Sequence, residues 1–145
     1  MSLLALLMAM GACSSKSSKT ESKEMETEEN LYVSQPFTSK SEFTGGIEGP
    51  AVDKEGNLYV VNFGKEGTIG KVTPDGKASL FVTLPEGSTG NGIRFNSKGE
   101  MLIADYTGHN VLKVDMQSLE ISVYAHHDDL NQPNDIAIMD NDIVF

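Results

Sequence analysis

The sequence has a single cysteine, Cys13, and no tryptophan. One cysteine excludes both an internal disulfide framework and a cysteine zinc cluster. Basic residues are scarce: 11 Lys and Arg stand against 21 Asp and Glu, for a formal net charge of −10. A nucleic-acid binder needs a basic face to meet phosphates, and a protein that adsorbs to anionic lipid needs one too, so neither is expected. No run of eighteen apolar residues occurs, which leaves no helix able to span a membrane. Two catalytic signatures are also missing. The stretch Gly64-Lys65-Glu66-Gly67-Thr68-Ile69-Gly70 lacks Gly-Lys-Ser/Thr and opens no helix, and no Gly-x-Ser-x-Gly occurs. What is present is 39% apolar residues in a chain of 145, enough for the core of one ordinary domain.

The first thirty residues read as a processing segment and a tether. Leu3 to Met10 is an apolar run that ends on Gly11-Ala12-Cys13, the h-region and small-residue site of a secretory signal. The alternative is a buried helix with a chance cysteine, but a core helix would not open onto the polar stretch that follows. Gly-Ala-Cys resembles the lipobox of bacterial lipoproteins, in which the cysteine becomes the lipidated first residue of the mature protein. That resemblance implies lipidation at Cys13, a membrane contact made only through the lipid, and a place in the bacterial cell envelope, periplasmic or at the outer membrane. Met10 stands where leucine is commoner and no Lys or Arg precedes the run, which points to a translation start upstream of Met1. Residues 14–30 carry one apolar side chain, Met25, among Lys16, Lys19, Lys23 and five glutamates. Such a stretch cannot bury enough surface to offset its ordering entropy and reads as a flexible tether. At the other end, Asp142-Ile143-Val144-Phe145 reads as the first half of a strand, so the chain is expected to be a fragment that continues past Phe145.

Residues 31–145 repeat. Gly49 to Phe63 lies over Gly92 to Tyr106 without a gap, at an offset of 43 residues, and a further step carries Asn91 to Asn134. Each unit reads as four short strands. In the first these are Gly49–Val52, Leu58–Phe63, Thr68–Thr73 and Ala78–Leu84, with turns at Lys54-Glu55-Gly56-Asn57 and Pro74-Asp75-Gly76. In the second, Asn110–Asp115 and Glu120–Ala125 are the third and fourth strands. No segment holds a period of 3.6. Four strands recurring at this interval predict an all-β fold, a β-propeller, of which the chain carries about two and a half blades. An all-β sandwich is the alternative, but sandwiches do not repeat turn chemistry at a fixed interval.

Glu48, Asn91 and Asn134 are spaced by the repeat. They are expected just before the innermost strand of successive blades, facing one axis at one mouth of the channel. A carboxylate and two carboxamide oxygens suit a hard cation such as Ca²⁺, Mg²⁺ or Mn²⁺. Equally, these residues could hydrogen-bond loop backbone where each blade begins.

The pieces Glu48-Gly49-Pro50, Asn91-Gly92-Ile93-Arg94-Phe95 and Gln132-Pro133-Asn134-Asp135-Ile136-Ala137 resemble the SMP-30/gluconolactonase/LRE-like family, over about residues 43–145. The resemblance implies a six-bladed propeller that hydrolyses sugar lactones with a divalent metal in its channel. The metal would be Ca²⁺ foremost, with Mg²⁺, Mn²⁺ or Zn²⁺ as other candidates. Carried over, Glu48 and Asn134 are metal ligands, while a second Asn and the general-base Asp fall beyond Phe145. Gln132 stands where some members have a substrate-contacting Arg. Asn91, Gln132, Asp105 and His109 are the candidates for lining a lactone pocket. Asp105, like Asn62, could instead start a turn. His109 and the loop His126-His127-Asp128-Asp129 read first as solvated loop residues and second as a rim that touches substrate. The competing function is a non-catalytic propeller, similar to NHL or YncE-like proteins, that binds a partner on its channel face.

Overall fold

The computed structural model describes residues 32–145; the signal, Cys13 and the tether lie outside the described residues. A compact unit spans Gln35–Phe145. The described residues form no helix. They build two antiparallel four-stranded meanders, each with its strands paired in chain order. The first blade contains β1 (Ala51–Val52), β2 (Leu58–Val61), β3 (Thr68–Val72) and β4 (Ala78–Thr83). The second contains β5 (Gly90–Phe95), β6 (Met101–Asp105), β7 (Asn110–Val114) and β8 (Ile121–His126).

The turns between the strands are set by local chemistry. Asp53 Oδ1 accepts the N–H groups of Glu55 at 3.0 Å and Asn57 at 2.8 Å, which closes the β1–β2 turn. One repeat later Asn96 Oδ1 accepts the N–H groups of Lys98 at 3.1 Å and Glu100 at 2.9 Å. Gly56 sits at φ 84° inside the first of these turns, in the left-handed region that a side chain disfavours. The β2 strand stops at Val61, two residues short of its predicted end, because Asn62 turns the chain with φ 66°. Phe63 then pairs with Phe43, their rings edge to face at 5.4 Å, an added bridge the strand pattern did not announce.

The core lies between the blades. Every residue of β6 is buried, so its two faces pack on different neighbours. Met101 and Ile103 face the first blade, with Tyr59, Val61, Ile69, Val82 and Leu84. Leu102 and Ala104 face the other way, with Val111 and Ile136. Full burial of side chains of this size stabilises by about 2 kcal/mol each. The exposed Lys77–Asp75 ion pair, at 2.7 Å, contributes far less. Apolar packing therefore holds the blades side by side. Ile136 belongs to the start of a third unit, in which Ala137 and Phe145 exchange both backbone hydrogen bonds, at 3.0 and 2.9 Å. Residues 143–145 thus pair back as the second strand of that unit. Asp142 ties it to the second blade by accepting the N–H of Ser97 at 2.7 Å and its hydroxyl at 2.6 Å.

Candidate functional site

The segments that carry the three positions spaced by the repeat are joined through backbone hydrogen bonds of neighbouring residues. The N–H of Ile93 donates to the carbonyl of Gly49 at 3.0 Å, and the N–H of Gly92 donates to the carbonyl of Asn134 at 2.8 Å. One staircase of hydrogen bonds therefore runs from the first unit to the second and from the second to the third. It requires near contact of main chains. A Cβ on Gly92 would lie 2.5 Å from Asp135 Oδ1 and 2.8 Å from its Cα, and one on Gly49 would strike Gly92 Cα. The two glycines following Glu48 and Asn91 are what permit the approach.

Glu48 precedes β1, as expected. Asn91 does not precede its strand; it lies inside β5, where the pairing with β6 is irregular between Gly90 and Ile93. Irregularities of this kind re-aim side chains. Glu48 and Asn134 are exposed and Asn91 is half-buried, and none of their side chains has a hydrogen-bond partner among the described residues. No three His, Cys, Asp or Glu side chains gather to hold a metal among the described residues. Glu48 and Asn134 fit a hard cation in kind, each bringing an oxygen not engaged elsewhere; further oxygens would complete a shell.

Gln132 takes φ 51°, and its Oε1 accepts the hydroxyl of Tyr106 at 3.2 Å. With its oxygen held, the amide presents N–H groups outward. Tyr106 was not singled out in the sequence; the signal available was an aromatic at the end of a strand on the mouth side. Arg94 and Asp135 were missed too. The guanidinium meets the carboxylate at 2.9 Å and 3.1 Å, and its other arm donates to the Ile93 carbonyl at 2.7 Å. This bridge lies beside the Asn134 step of the staircase.

Asp105 corrects an expectation. It is 0% exposed, so it offers nothing to a substrate. Its oxygens accept from Ser88 Oγ at 2.9 Å, the Thr89 N–H at 3.2 Å, the Gly108 N–H at 3.0 Å and Asn110 Nδ2 at 3.3 Å. It fastens the loop after β6 to the loop before β5. His109 belongs to the loop thus fastened, at φ 58°, its N–H donating to the Asp105 carbonyl at 2.9 Å. His126 is the last residue of β8 rather than a loop residue, its Nδ1 2.8 Å from Asn110 Oδ1. His127 remains in the exposed loop, its Nδ1 accepting the N–H of Asp129 at 3.1 Å.

Among carboxylates near the turns, Asp53 is perturbed. Burial pushes its pKa up, but hydrogen bonds from Asn57, Tyr59 and Glu55 outweigh that and hold it below the usual 3.8. Burial, with the Asp53 carboxylate beside it, pushes the Tyr59 hydroxyl well above its ordinary value.

Solved structures with this fold are β-propeller proteins. Virginiamycin B lyase from Staphylococcus aureus, selenomethionine-substituted, is similar with a TM-score of 0.58 and 17% identity, over 71% of this chain and 36% of its own. A catalytically inactive variant of that lyase with quinupristin gives a TM-score of 0.57 and 14% identity, over 68% and 33%. A streptogramin B lyase gives 0.57 and 18%, over 66% and 32%. The chain spans about a third of the length of these proteins, and at such identities the likeness is one of fold. No protein-family model and no curated protein matches the chain.

Proposed function

We propose that the complete protein is a propeller hydrolase of sugar lactones or related esters. Its channel would hold a divalent cation, Ca²⁺ first among the candidates, on Glu48 and Asn134. The observation that carries the reading is the backbone staircase, which joins the Glu48, Asn91 and Asn134 positions of successive units while their side chains keep free oxygens. The similar solved structures include lyases, which supports an enzymatic use of this scaffold.

The bound cation would supply Lewis-acid polarisation of the ester carbonyl and a more acidic water. Glu48 contributes the one full negative charge of this half-site and Asn134 a neutral oxygen. Asn91 lines the pocket beside them. Gln132, steadied by Tyr106, offers amide N–H groups to substrate hydroxyls. The general base is assigned to an Asp beyond Phe145, which would take the proton of the attacking water. A partner-binding propeller without catalysis is the competing reading.

The test is an ordering in the full-length protein. Glu48→Gln keeps the shape and removes the charge, and should weaken Ca²⁺ binding by more than about tenfold and lower lactone turnover with it. Asn134→Ala should do the same to a smaller degree, and Asn91→Ala least. Calorimetry and pH-stat hydrolysis give the two readouts. Hydrolysis in oxygen-18 water leaves label in the acid product, which a lyase reaction would not. Wild-type binding and turnover in Glu48→Gln would overturn the Glu48–Asn134 site, and a wild type that hydrolyses no lactone would hand the case to the partner-binding reading.

The proposal includes a lipid anchor on Cys13 in the bacterial cell envelope. Metabolic labelling with a radioactive fatty acid should mark the wild type and leave Cys13→Ala unmarked; equal labelling of both would remove the anchor.

A further inference from the structure

Two side-chain oxygens are buried without a hydrogen-bond partner among the described residues: Glu42 Oε2 and Asn62 Oδ1. Native interiors leave few such atoms, and each calls for a cause. These two are neighbours in the fold. Around the Phe43–Phe63 bridge, Gly64 donates its N–H to the Glu42 carbonyl at 2.8 Å and Thr44 donates to the Asn62 carbonyl at 3.0 Å. Residues 42 and 62 are therefore diagonal across one short ladder, within reach for a side chain as long as Glu. Asn62 is 5% exposed, and its Nδ2 is already spent on the Gly46 carbonyl at 3.0 Å, so Oδ1 is its unanswered end.

The second blade shows the same place with a different solution. One repeat on, Asn62 is replaced by Asp105, whose carboxylate is answered by four donors. Two of those donors are side chains, Ser88 and Asn110. In the first unit Ser88 is matched by Gly45, which has no donor; Asn110 is matched across the ladder by Thr68, whose hydroxyl is spent on the Phe63 and Lys65 carbonyls at 2.8 and 2.7 Å; and Pro85 is matched by Glu42. The first unit has thus lost donors and gained a carboxylate. Two neighbouring buried acceptor oxygens that no donor among the described residues answers are suited to a cation.

We propose that Glu42 Oε2 and Asn62 Oδ1 are ligands of a second hard cation, of the Ca²⁺ class, at the end of β2 in the first blade. The site is independent of the Glu48–Asn134 position. Its donors are all oxygen, with a single charge, and backbone carbonyls and water complete the shell. Such a low-charge set binds weakly, with a Kd on the order of 10⁻⁴–10⁻³ M. Its effect would be to pin the segment that leads into Glu48 onto the blade.

The experiment uses the full-length protein, stripped by a chelator, with Ca²⁺ alone as the probe. Glu48→Gln is the background, which weakens the channel position, and the Ca²⁺ response assigned to the second site is the part that Glu42→Gln removes from it. In that background millimolar Ca²⁺ should still raise Tm, and equilibrium dialysis should show one bound ion. Adding Glu42→Gln should abolish both responses. Adding Asn62→Asp instead should tighten Ca²⁺ about tenfold, since a second carboxylate joins the shell. The proposal is overturned if Glu48→Gln shows no Ca²⁺ response, or if Glu42→Gln leaves that response intact. It is also overturned if Glu42→Gln stabilises the metal-free protein and Ca²⁺ adds nothing, which would assign the two oxygens a shared proton. Should Glu42→Gln fail to fold, Asn62→Asp decides: no tightening overturns the site. If instead wild type and Glu48→Gln respond alike and Glu42→Gln removes the response, the second site stands and the channel reading falls.

Discussion

Asn62 and Asp105 occupy the same place in successive repeats, yet the two residues live in different surroundings. Asp105 is sealed by Ser88, Thr89, Gly108 and Asn110. Asn62 spends its amide on Gly46 and keeps a buried oxygen unanswered. The residue types at these positions were visible as strand-ending polar groups, but burial was not, since it depends on loops that arrive from elsewhere in the chain. Removing the Asp105 carboxylate would strand two side-chain donors and two backbone N–H groups inside the protein. Asp105→Ala should therefore destabilise the full-length protein by roughly 2–4 kcal/mol. Ser88→Ala, which loses one donor and leaves the carboxylate three others, should cost about 1 kcal/mol. Denaturant unfolding of the two variants measures both, and equal losses would contradict the account.

The strands were the most legible elements. β3, β4, β7 and β8 begin within one residue of where alternation and turn chemistry put them, because those signals are written in adjacent residues. β1 is shorter than expected, and Asn91 sits within β5 at an irregularity rather than ahead of it. Neither is a local matter: both follow from inner strands that meet other units along the staircase. The β1–β2 turn carries its own pH dependence. Hydrogen bonds to Asp53 outweigh burial and lower its pKa in the folded protein below 3.8. The unfolded chain then binds the proton more readily, so this turn's contribution is complete above the unfolded value and is lost as pH falls through the folded one. Asp53→Asn should lower stability near neutral pH and flatten the acid limb of the stability–pH curve. Unfolding midpoints from pH 2 to 7 provide the check, and a parallel acid limb in the variant would rule the turn out as its source.

Among the described residues, two complete blades and the start of a third pack face to face. The outer face of the second blade leaves Val123, 57% exposed, and Tyr124, 44% exposed, and Phe145 is 74% exposed. Around them a cavity of about 440 Å³ is lined by Val111, Tyr124, Leu130, Ile136, Val144 and Phe145. Apolar surface of this kind, in a propeller that closes only with four or more blades, favours association. Residues 35–145 produced alone should self-associate, seen as a sedimentation coefficient that climbs with concentration. A sharp two-state thermal transition from a soluble monomer would contradict this.

The sequence by itself determined the class of fold, the spacing of its units and the turns between strands. Those rest on period-two alternation and on Gly, Pro, Asp and Asn at short range, and neighbours in the chain suffice for them. It also set the interval of 43 residues between Glu48, Asn91 and Asn134, but not their places, since Asn91 lies inside β5 while Glu48 precedes β1. Tertiary structure alone decided which polar side chains are spent and which are free. Tyr106 meets Gln132 across 26 residues, Arg94 meets Asp135 across 41, and Ser97 meets Asp142 across 45. Asp105 is closed and the Glu48 side chain open for the same reason: hydrogen-bond partners are supplied by whatever loop folding brings alongside, and no local pattern of residues encodes that arrival.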